Sequence, residues 1–403
     1  MSMTGQRVAG IDWASDNHAL CVIDAGGQPV QRLVVPHTKT GIGRLVTVLR
    51  KHQVTGVGIE RPDGPLVAGL LAAGVEVLVI PPSQVKSLRG RYRSAGHKDD
   101  RFDAYVLADT VRTDRRRLTP LQPDTQATTT LRTLVRARTD LVVHRVAVAN
   151  QLRAHLQTVL PAAVGLFTKP HSPISLAFLS AFATQDAIDA LTIDTWTSWL
   201  RAHRYRKTRP EILLQRLRDA PAGVTGPAAQ ALAAVTAAYL TALTTLVDQI
   251  QALQAQIAAA LAAHPDGPIF TSLPRCGTVR AARLLAEIGD ARGRHPTPQS
   301  LTGLAGVTPS TRQSGQVRIV AFRWAADKQL RGAVCDLADD SRHANPWAAD
   351  LYAKARARGH RHPHAVRILA RAWLAIIWKL WTTHTPYDPA RHNALQKLLT
   401  QTA

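Results

Sequence analysis

Acidic side chains are scarce in this chain: 28 Asp and Glu stand against 50 Lys and Arg over 403 residues, a formal net charge of +22. The excess is spread over most segments and is not confined to a tail. A protein so basic gathers polyanions, and nucleic acid is the expected partner. Cysteine is nearly as rare. Cys21, Cys276 and Cys335 are scattered with no CxxC spacing, which excludes a disulfide framework and a cysteine-rich zinc site and fits a reducing compartment. His360, His362 and His364 sit among arginines and read as solvated side chains, not metal ligands. The N-terminus lacks an apolar signal region, and no run of about eighteen apolar residues is apparent. The expectation is a soluble, cytoplasmic, nucleoid-associated protein with no membrane partner. Aromatics make up only 5% against 45% hydrophobic residues, and the abundance of Ala, Leu and Val suits a helix-rich fold.

Three segments follow from the patterning. Residues 7 to 120 alternate strand and helix signals, and residues 1–125 are taken as the first domain. Arg7 to Asp12 reads as a strand, Ala19 to Asp24 as a second, and Ala25-Gly26-Gly27 turns the chain into a third, Val30 to Val35. A helix from about Gly41 to His52 precedes a strand ending at Glu60; a short helix after Pro65 and a strand at Val75 to Ile80 follow. A hairpin of three strands followed by alternating helix and strand is the order of a ribonuclease-H-like α/β sheet.

Residues 126–265 form a helical middle region. From Gln126 to Leu160 the pattern is helical, with Leu134, Leu141 and Val148 spaced by sevens. From 226 to 263 an Ala-rich helix repeats Leu232, Tyr239, Leu246 and Leu253, interleaved with Leu243, Ile250 and Ile257. That alternation of four and three is a coiled-coil seam or the buried stripe of a helix packed within one chain. Residues 161 to 225 carry no functional signal. After the His264 to Pro268 break, residues 266–403 form a mainly α third domain. Leu273-Pro274-Arg275-Cys276-Gly277 followed by Val279 to Gly289 looks like a helix-hairpin-helix element, whose turn would offer backbone N–H groups to phosphate. A polar loop, Ser310 to Gln316, and two basic helices, about Ala325 to Asp339 and His364 to Thr382, complete the domain.

Against the scarcity of acid, four carboxylates fall in a pattern. Asp12 and Glu60 each end a strand, and Asp100 and Asp103 lie three apart on one face of a starting helix. Phosphodiester chemistry with two Mg²⁺ ions needs carboxylates from separate elements converging on metals about 4 Å apart, and hard oxygen donors suit Mg²⁺. Strand-end acids can also be turn residues, and helix-start acids can simply complement the helix dipole. The cations Lys86, Arg89, Arg91, Arg93, Lys98 and Arg101, then Arg112, Arg115, Arg116 and Arg117, are read as surrounding this site. Tyr92 and Phe102 interleave with them, able to stack on bases or to pack inward.

The strings GIDWASDNH, GIE, KDDRFDAYVLAD, LPRCGTVRAARLLAEIGD and AGVTPSTRQSG together resemble the DEDD transposases of bacterial insertion sequences, the insertion-sequence one-ten family. The similarity spans about residues 7 to 382. It implies an N-terminal RuvC-like domain, a coiled-coil region and a C-terminal transposase domain with a nucleophilic serine. It further implies a 5′-phosphoserine intermediate, a Mg²⁺-binding acidic site, and a structured non-coding (bridge) RNA that pairs with donor and target DNA. A homo-oligomer, dimer or tetramer, is implied as well. The family's acids fall on Asp12, Glu60, Asp100 and Asp103, and its serine on Ser314. Two departures stand out: Asp99 adds a second acid beside Asp100 and is an alternative ligand, and the usual Pro-Gly of the hairpin turn reads Pro274-Arg275.

Serine is a poor nucleophile unless a base or metal eases loss of its proton, and no histidine adjoins Ser314. The expectation is that the acidic site meets Ser314 in a composite centre, with Arg312, Arg318 and Arg323 clamping phosphates. Lys328 and Arg331 are further candidate nucleic-acid contacts. Two other readings remain open: a metal-dependent junction nuclease that needs the acids alone, and a non-catalytic nucleic-acid-binding protein.

Overall fold

The computed structural model describes residues 6–90 and 99–402. The chain divides into two compact units, Met1–Pro123 and Asp124–Ala403.

In the first unit, β1 (Arg7–Trp13), β2 (Asn17–Ile23) and β3 (Pro29–Pro36) form an antiparallel meander. Helix α1 (Lys39–Lys51) leads to β4 (Val54–Ile59), which pairs with β1 in parallel; α2 (Pro65–Ala72) leads to β5 (Val77–Val79), parallel to β4. The resulting order, β3-β2-β1-β4-β5, is that expected of a ribonuclease-H-like sheet. Strand alternation sorts the two faces. Ala9, Ile11, Leu20, Val22, Val57 and Ile59 pack with α1 and α2 on one side. Val8, Ala19, Cys21 and Ile23 pack on the other side with α4 (Asp100–Asp114), which follows α3 (Pro82–Arg89). The sequence-based boundaries agree with these elements to within a few residues.

Helix α4 lies unusually close to the sheet because two glycines let it. A Cβ built on Gly10 would stand 2.1 Å from the carbonyl oxygen of Ala104, and one on Gly58 would stand 2.8 Å from that of Leu107. Its direction is fixed at the far end. Arg112 donates to the carbonyl of Ala25 at 3.4 Å, and Arg115 binds Glu76 at 2.6 Å beside the start of β4. The first turn of α4 therefore overlies the ends of β1 and β4.

The second unit is almost wholly helical. α5 (Gln126–Val159) rises to a small group of helices, α6 (Pro173–Ala181), α7 (Gln185–Asp189), α8 (Ile193–Ala202) and α9 (Pro210–Asp219), and α10 (Gly226–Ala263) returns. Phe178, Trp196 and their neighbours form the aromatic core of that group, which is what residues 161–225 build. Hydrogen bonds Thr128–His264, Arg138–Gln254 and His155–Thr236 tie α5 to α10 in antiparallel register. Thr236, Leu243, Ile250 and Ile257, spaced by sevens, are buried. One of the two rows of sevens is thus covered within the chain, while Leu232, Tyr239, Leu246 and Leu253 are half-buried. Contrary to the expectation that no such run exists, α10 is long and apolar enough by length and composition to cross a membrane; here its apolar stripe faces α5.

The chain continues through α11 (Gly267–Thr271), α12 (Thr278–Ile288) and α13 (Pro298–Leu304) to a hairpin of β6 (Ser310–Ser314) and β7 (Val317–Ala321). It ends with α14 (Lys328–Ser341), α15 (Pro346–Ala357), α16 (His362–Thr382) and α17 (Asn393–Thr402). Trp373, Trp381, Phe270, Leu285 and Leu337 centre the core here. The residues expected to form a polar loop are instead a two-stranded hairpin. The expected helix-hairpin-helix is a five-residue helix, a turn and an eleven-residue helix.

Candidate active site

The residue pairing Ile11↔Ile59 between β1 and β4 sets Asp12 and Glu60 side by side, one position further on. Asp12 follows Val8 and Gly10 on the α4 face by alternation, and Glu60 follows Gly58. The first turn of α4 brings Asp100 and Asp103 to the same end of the same face. Asp103 is 1% exposed, while Asp100 is open to solvent. Burying a carboxylate is costly unless donors or a cation meet it. Asp99 is otherwise employed: it is the N-cap, and its side chain accepts from the Arg101 N–H at 3.1 Å. That capping role sets Asp99 apart from Asp100, which is the first residue of the helix.

The residues just after the two strand acids hold the ends together. The Arg61 guanidinium lies 4.5 Å from the centroid of the Trp13 ring. Trp13 packs tilted over His18, and His18 Nε2 meets His37 Nδ1 at 2.7 Å. Burial, and then the neighbouring His37, hold His18 below its ordinary pKa, so the His18 ring is neutral near pH 7. Gly10, Gly58, Trp13 and Arg61 are the positioning residues that sequence reasoning missed. The signal available was glycine two residues before each acid, GxD in β1 and GxE in β4.

Carboxylate oxygens from three separate elements suit a hard divalent cation in kind. Among the described residues, however, no three His, Cys, Asp or Glu side chains stand close enough to hold a metal ion. The donors are gathered at one edge and not closed into a cage.

The surrounding cations divide. Lys86 and Arg101 are exposed on α3 and α4, and Arg89 ends α3. Arg91, Arg93 and Lys98, with Tyr92, lie outside the described residues. Phe102 packs inward against the α4 core. Arg112, Arg115, Arg116 and Arg117 do not surround the acids. They line a cleft of about 680 Å³ at the opposite end of α4, because a fifteen-residue helix carries its two ends roughly 20 Å apart.

In the second unit, Ser314 ends β6 at the tip of the hairpin and is exposed. Gly315 takes φ +56, the left-handed first position that a two-residue hairpin turn with Gly leading requires. Ser314 pairs with Val317, and Arg312 with Ile319, so Arg312 shares the serine's face while Arg318 points to the other. Arg323 sits at the hairpin root. Lys328 is exposed at the start of α14. Arg331 is not available as a phosphate contact: its guanidinium donates to the carbonyls of Ala305 at 3.1 Å and Arg323 at 2.6 Å, and stacks 4.5 Å from the Phe322 centroid. Nor are Arg275 and Arg280 at the α11–α12 turn free, since both bind Asp340, at 3.1 and 2.8 Å. Burial pushes the Cys276 thiol up to about 12 and that of Cys335 to about 11, which removes both as nucleophiles.

Carboxylates carried by two strand ends and a helix at one edge of this sheet are the donor kind that metal-assisted phosphodiester chemistry uses. Residues 9–161 match a family described as transposase, of the DEDD, IS110 type, and residues 267–353 match one described as transposase of the IS116/IS110/IS902 family. The chain belongs to the IS110/IS116 transposase family, and as a transposase it is an enzyme. It is 29% identical to the IS117 mini-circle protein of Streptomyces coelicolor, covering 95% of each chain. It is 28% identical to the 42 kDa protein of insertion element IS900 from Mycobacterium paratuberculosis, over 96% of this chain and 98% of that one. With the 44.8 kDa protein of IS116 from Streptomyces clavuligerus the identity is 26%, over 97% and 98%. T. thermophilus RuvC, solved with a Holliday junction substrate, aligns with 29% of this chain and 99% of its own at 22% identity and a TM-score of 0.24, a likeness that adds no weight.

Proposed function

We propose that the protein cuts and rejoins DNA to excise and insert a mobile element, using Ser314 as nucleophile and Asp12, Glu60, Asp100 and Asp103 as holders of Mg²⁺. The reading is carried by one observation: four carboxylates gathered at one end of one sheet face in a chain otherwise poor in acid. A bound dication would draw negative charge from a phosphate held there. In the transfer step the Ser314 oxygen bonds to phosphorus and gives up its proton to solvent or base. The bond to the 3′ oxygen breaks, and a 3′ hydroxyl and a 5′-phosphoserine result. Rejoining reverses the exchange, so bond energy is conserved. The exposed hairpin supports this role, since a nucleophile must reach into a duplex, and Arg312 on the same face suits a flanking phosphate.

A structured non-coding RNA is the proposed guide, pairing with donor and target DNA; the net charge of +22 supports a large polyanionic load. A homo-oligomer is proposed because joining two duplexes needs more than one active centre. The test mixes full-length protein, the flanking non-coding RNA, Mg²⁺ and labelled donor DNA, and resolves protein-linked DNA on a denaturing gel. An adduct in the wild type that is absent in Ser314→Ala supports the reading. Metal-dependent nicks with no adduct would replace it with a junction-type nuclease, and binding with neither would leave a nucleic-acid-binding protein.

A further inference from the structure

At the root of the Ser314 hairpin, α16 turns one face toward β7 and the loop before β6. His364, Arg367 and Arg371 recur on it at spacings of three and four, which is one helix face. Together with Thr308 and Arg323 they line a cleft of about 390 Å³. Arg323, Arg371 and Thr308 also border an adjoining cleft of about 760 Å³. The polar groups here are poised and unspent. The Thr308 hydroxyl and the Arg323 Nε are buried with no hydrogen-bond partner. Among the described residues no carboxylate is ion-paired with Arg323, Arg367 or Arg371. The one acid at the rim, Asp327, is committed to capping α14 through the N–H groups of Gln329 and Leu330, at 2.8 and 3.0 Å. Buried donors without partners are costly, and an anion seated in this cleft would satisfy them.

Beside it stands an aromatic shelf. Phe322 is held between the guanidinium groups of Arg331 and Arg367, at 4.5 and 4.8 Å from its centroid. Trp324 meets Phe322 edge-on at 4.9 Å and is nevertheless 80% exposed, the most exposed of the large hydrophobic side chains among the described residues. An indole propped on a rigid ring and left bare gains nothing for the fold of the monomer.

We propose that this cleft and shelf bind one unpaired DNA nucleotide beside the cut site, its phosphate between Arg323, Arg367 and Arg371 and its base stacked on Trp324. The inference deepens the proposed DNA cleavage by Ser314 and rests on that reading. DNA and not RNA is the assigned occupant because the cleft is continuous with the hairpin that bears the nucleophile. Stacking on an exposed aromatic tolerates any base, so the subsite would hold a strand open and not select its sequence.

The test uses full-length protein without metal, so no cleavage intervenes, and single-stranded DNA carrying 2-aminopurine. Wild type should quench the probe on binding. Trp324→Phe should retain the quench, and Trp324→Ala should abolish it and weaken binding on the order of tenfold. Being so exposed, Trp324 can be removed with an unchanged Tm. Arg371→Ala should lower the slope of log affinity against log salt by about one. A quench unaffected by Trp324→Ala, a salt slope unaffected by Arg371→Ala, or a quench with RNA of the same sequence but not with DNA would each overturn the proposal. A Trp324-dependent quench in a protein that forms no Ser314 adduct would instead sink the serine reading and leave the subsite standing.

Discussion

The Cβ that Gly10 lacks would lie 2.1 Å from the carbonyl oxygen of Ala104 and 2.4 Å from the amide nitrogen of Ala108. Both obstacles are backbone, so neither can rotate away. Gly10→Ala must lift α4 from the sheet, and with it Asp100 and Asp103 from the strand ends that carry Asp12 and Glu60. Overpacking of this kind costs about 1–3 kcal/mol and sometimes more. The expected outcome is a Tm lowered by several degrees and DNA cleavage reduced beyond the fraction unfolded. An unchanged Tm would mean that α4 does not bear on β1 as described.

The five acids around the first turn of α4 separate by their response to metal. A cation bound only by the folded protein raises Tm by mass action. Mg²⁺ should stabilise the wild type, and Asp12→Asn, Glu60→Gln, Asp100→Asn and Asp103→Asn should each blunt that rise. Asp99→Ala should behave differently. It loses the cap to Arg101, about 1 kcal/mol, while keeping the Mg²⁺ response. If Asp99→Ala abolished the response and Asp100→Asn did not, the ligand assignment would be reversed.

What was legible divides along physical lines. The first unit could be read because each strand alternates apolar residues between Gly, Pro and Asp breaks, and scarce acids at strand ends stand out against a basic chain. The hairpin of Ser314 could not. Ser310-Thr311-Arg312-Gln313-Ser314 is polar on both faces and exposed, so no period distinguishes strand from loop. The seam of α10 announced a partner helix but not whose, because a heptad stripe looks the same facing α5 or another chain. Arg112, Arg115, Arg116 and Arg117 lie near the acids along the chain, and the helix between carries them away. The cleft at Arg323 and Arg371 joins residues 48 positions apart, a pairing only tertiary structure reveals.

The α5–α10 pairing makes a prediction about concentration. Ile250 is 4% exposed and sits in the buried row of sevens. Ile250→Ala should cost about 2–5 kcal/mol, read from urea unfolding of the second unit's helices. Since the row of Thr236, Leu243, Ile250 and Ile257 is covered within one chain, the midpoint of wild type and variant alike should not move over a hundredfold range of protein concentration. A midpoint that rises with concentration would show the seam is shared between chains.

Acid sensitivity should trace in part to His295. It is 5% exposed, its Nε2 has no hydrogen-bond partner, and burial, aided by Arg294 and opposed by Asp124, pushes it down from 6.5 to about 4. The folded state thus keeps the ring neutral while the unfolded chain takes up a proton first. More protons bound on unfolding means stability falls as pH drops. The loss from this group should run from about pH 6.5 to about pH 4, reach about 3 kcal/mol, and stop there. Above pH 6.5 it should contribute no pH dependence. His295→Phe fills similar space beside Trp381, whose ring lies 6.0 Å away, and cannot be protonated. Its urea midpoint should therefore decline less between pH 7 and pH 4.5 than that of the wild type. Equal declines would place the acid sensitivity in the carboxylates of the Asp124 and Asp290 network, where burial pushes Asp290 up but hydrogen bonds from Thr125 hold it below its ordinary range.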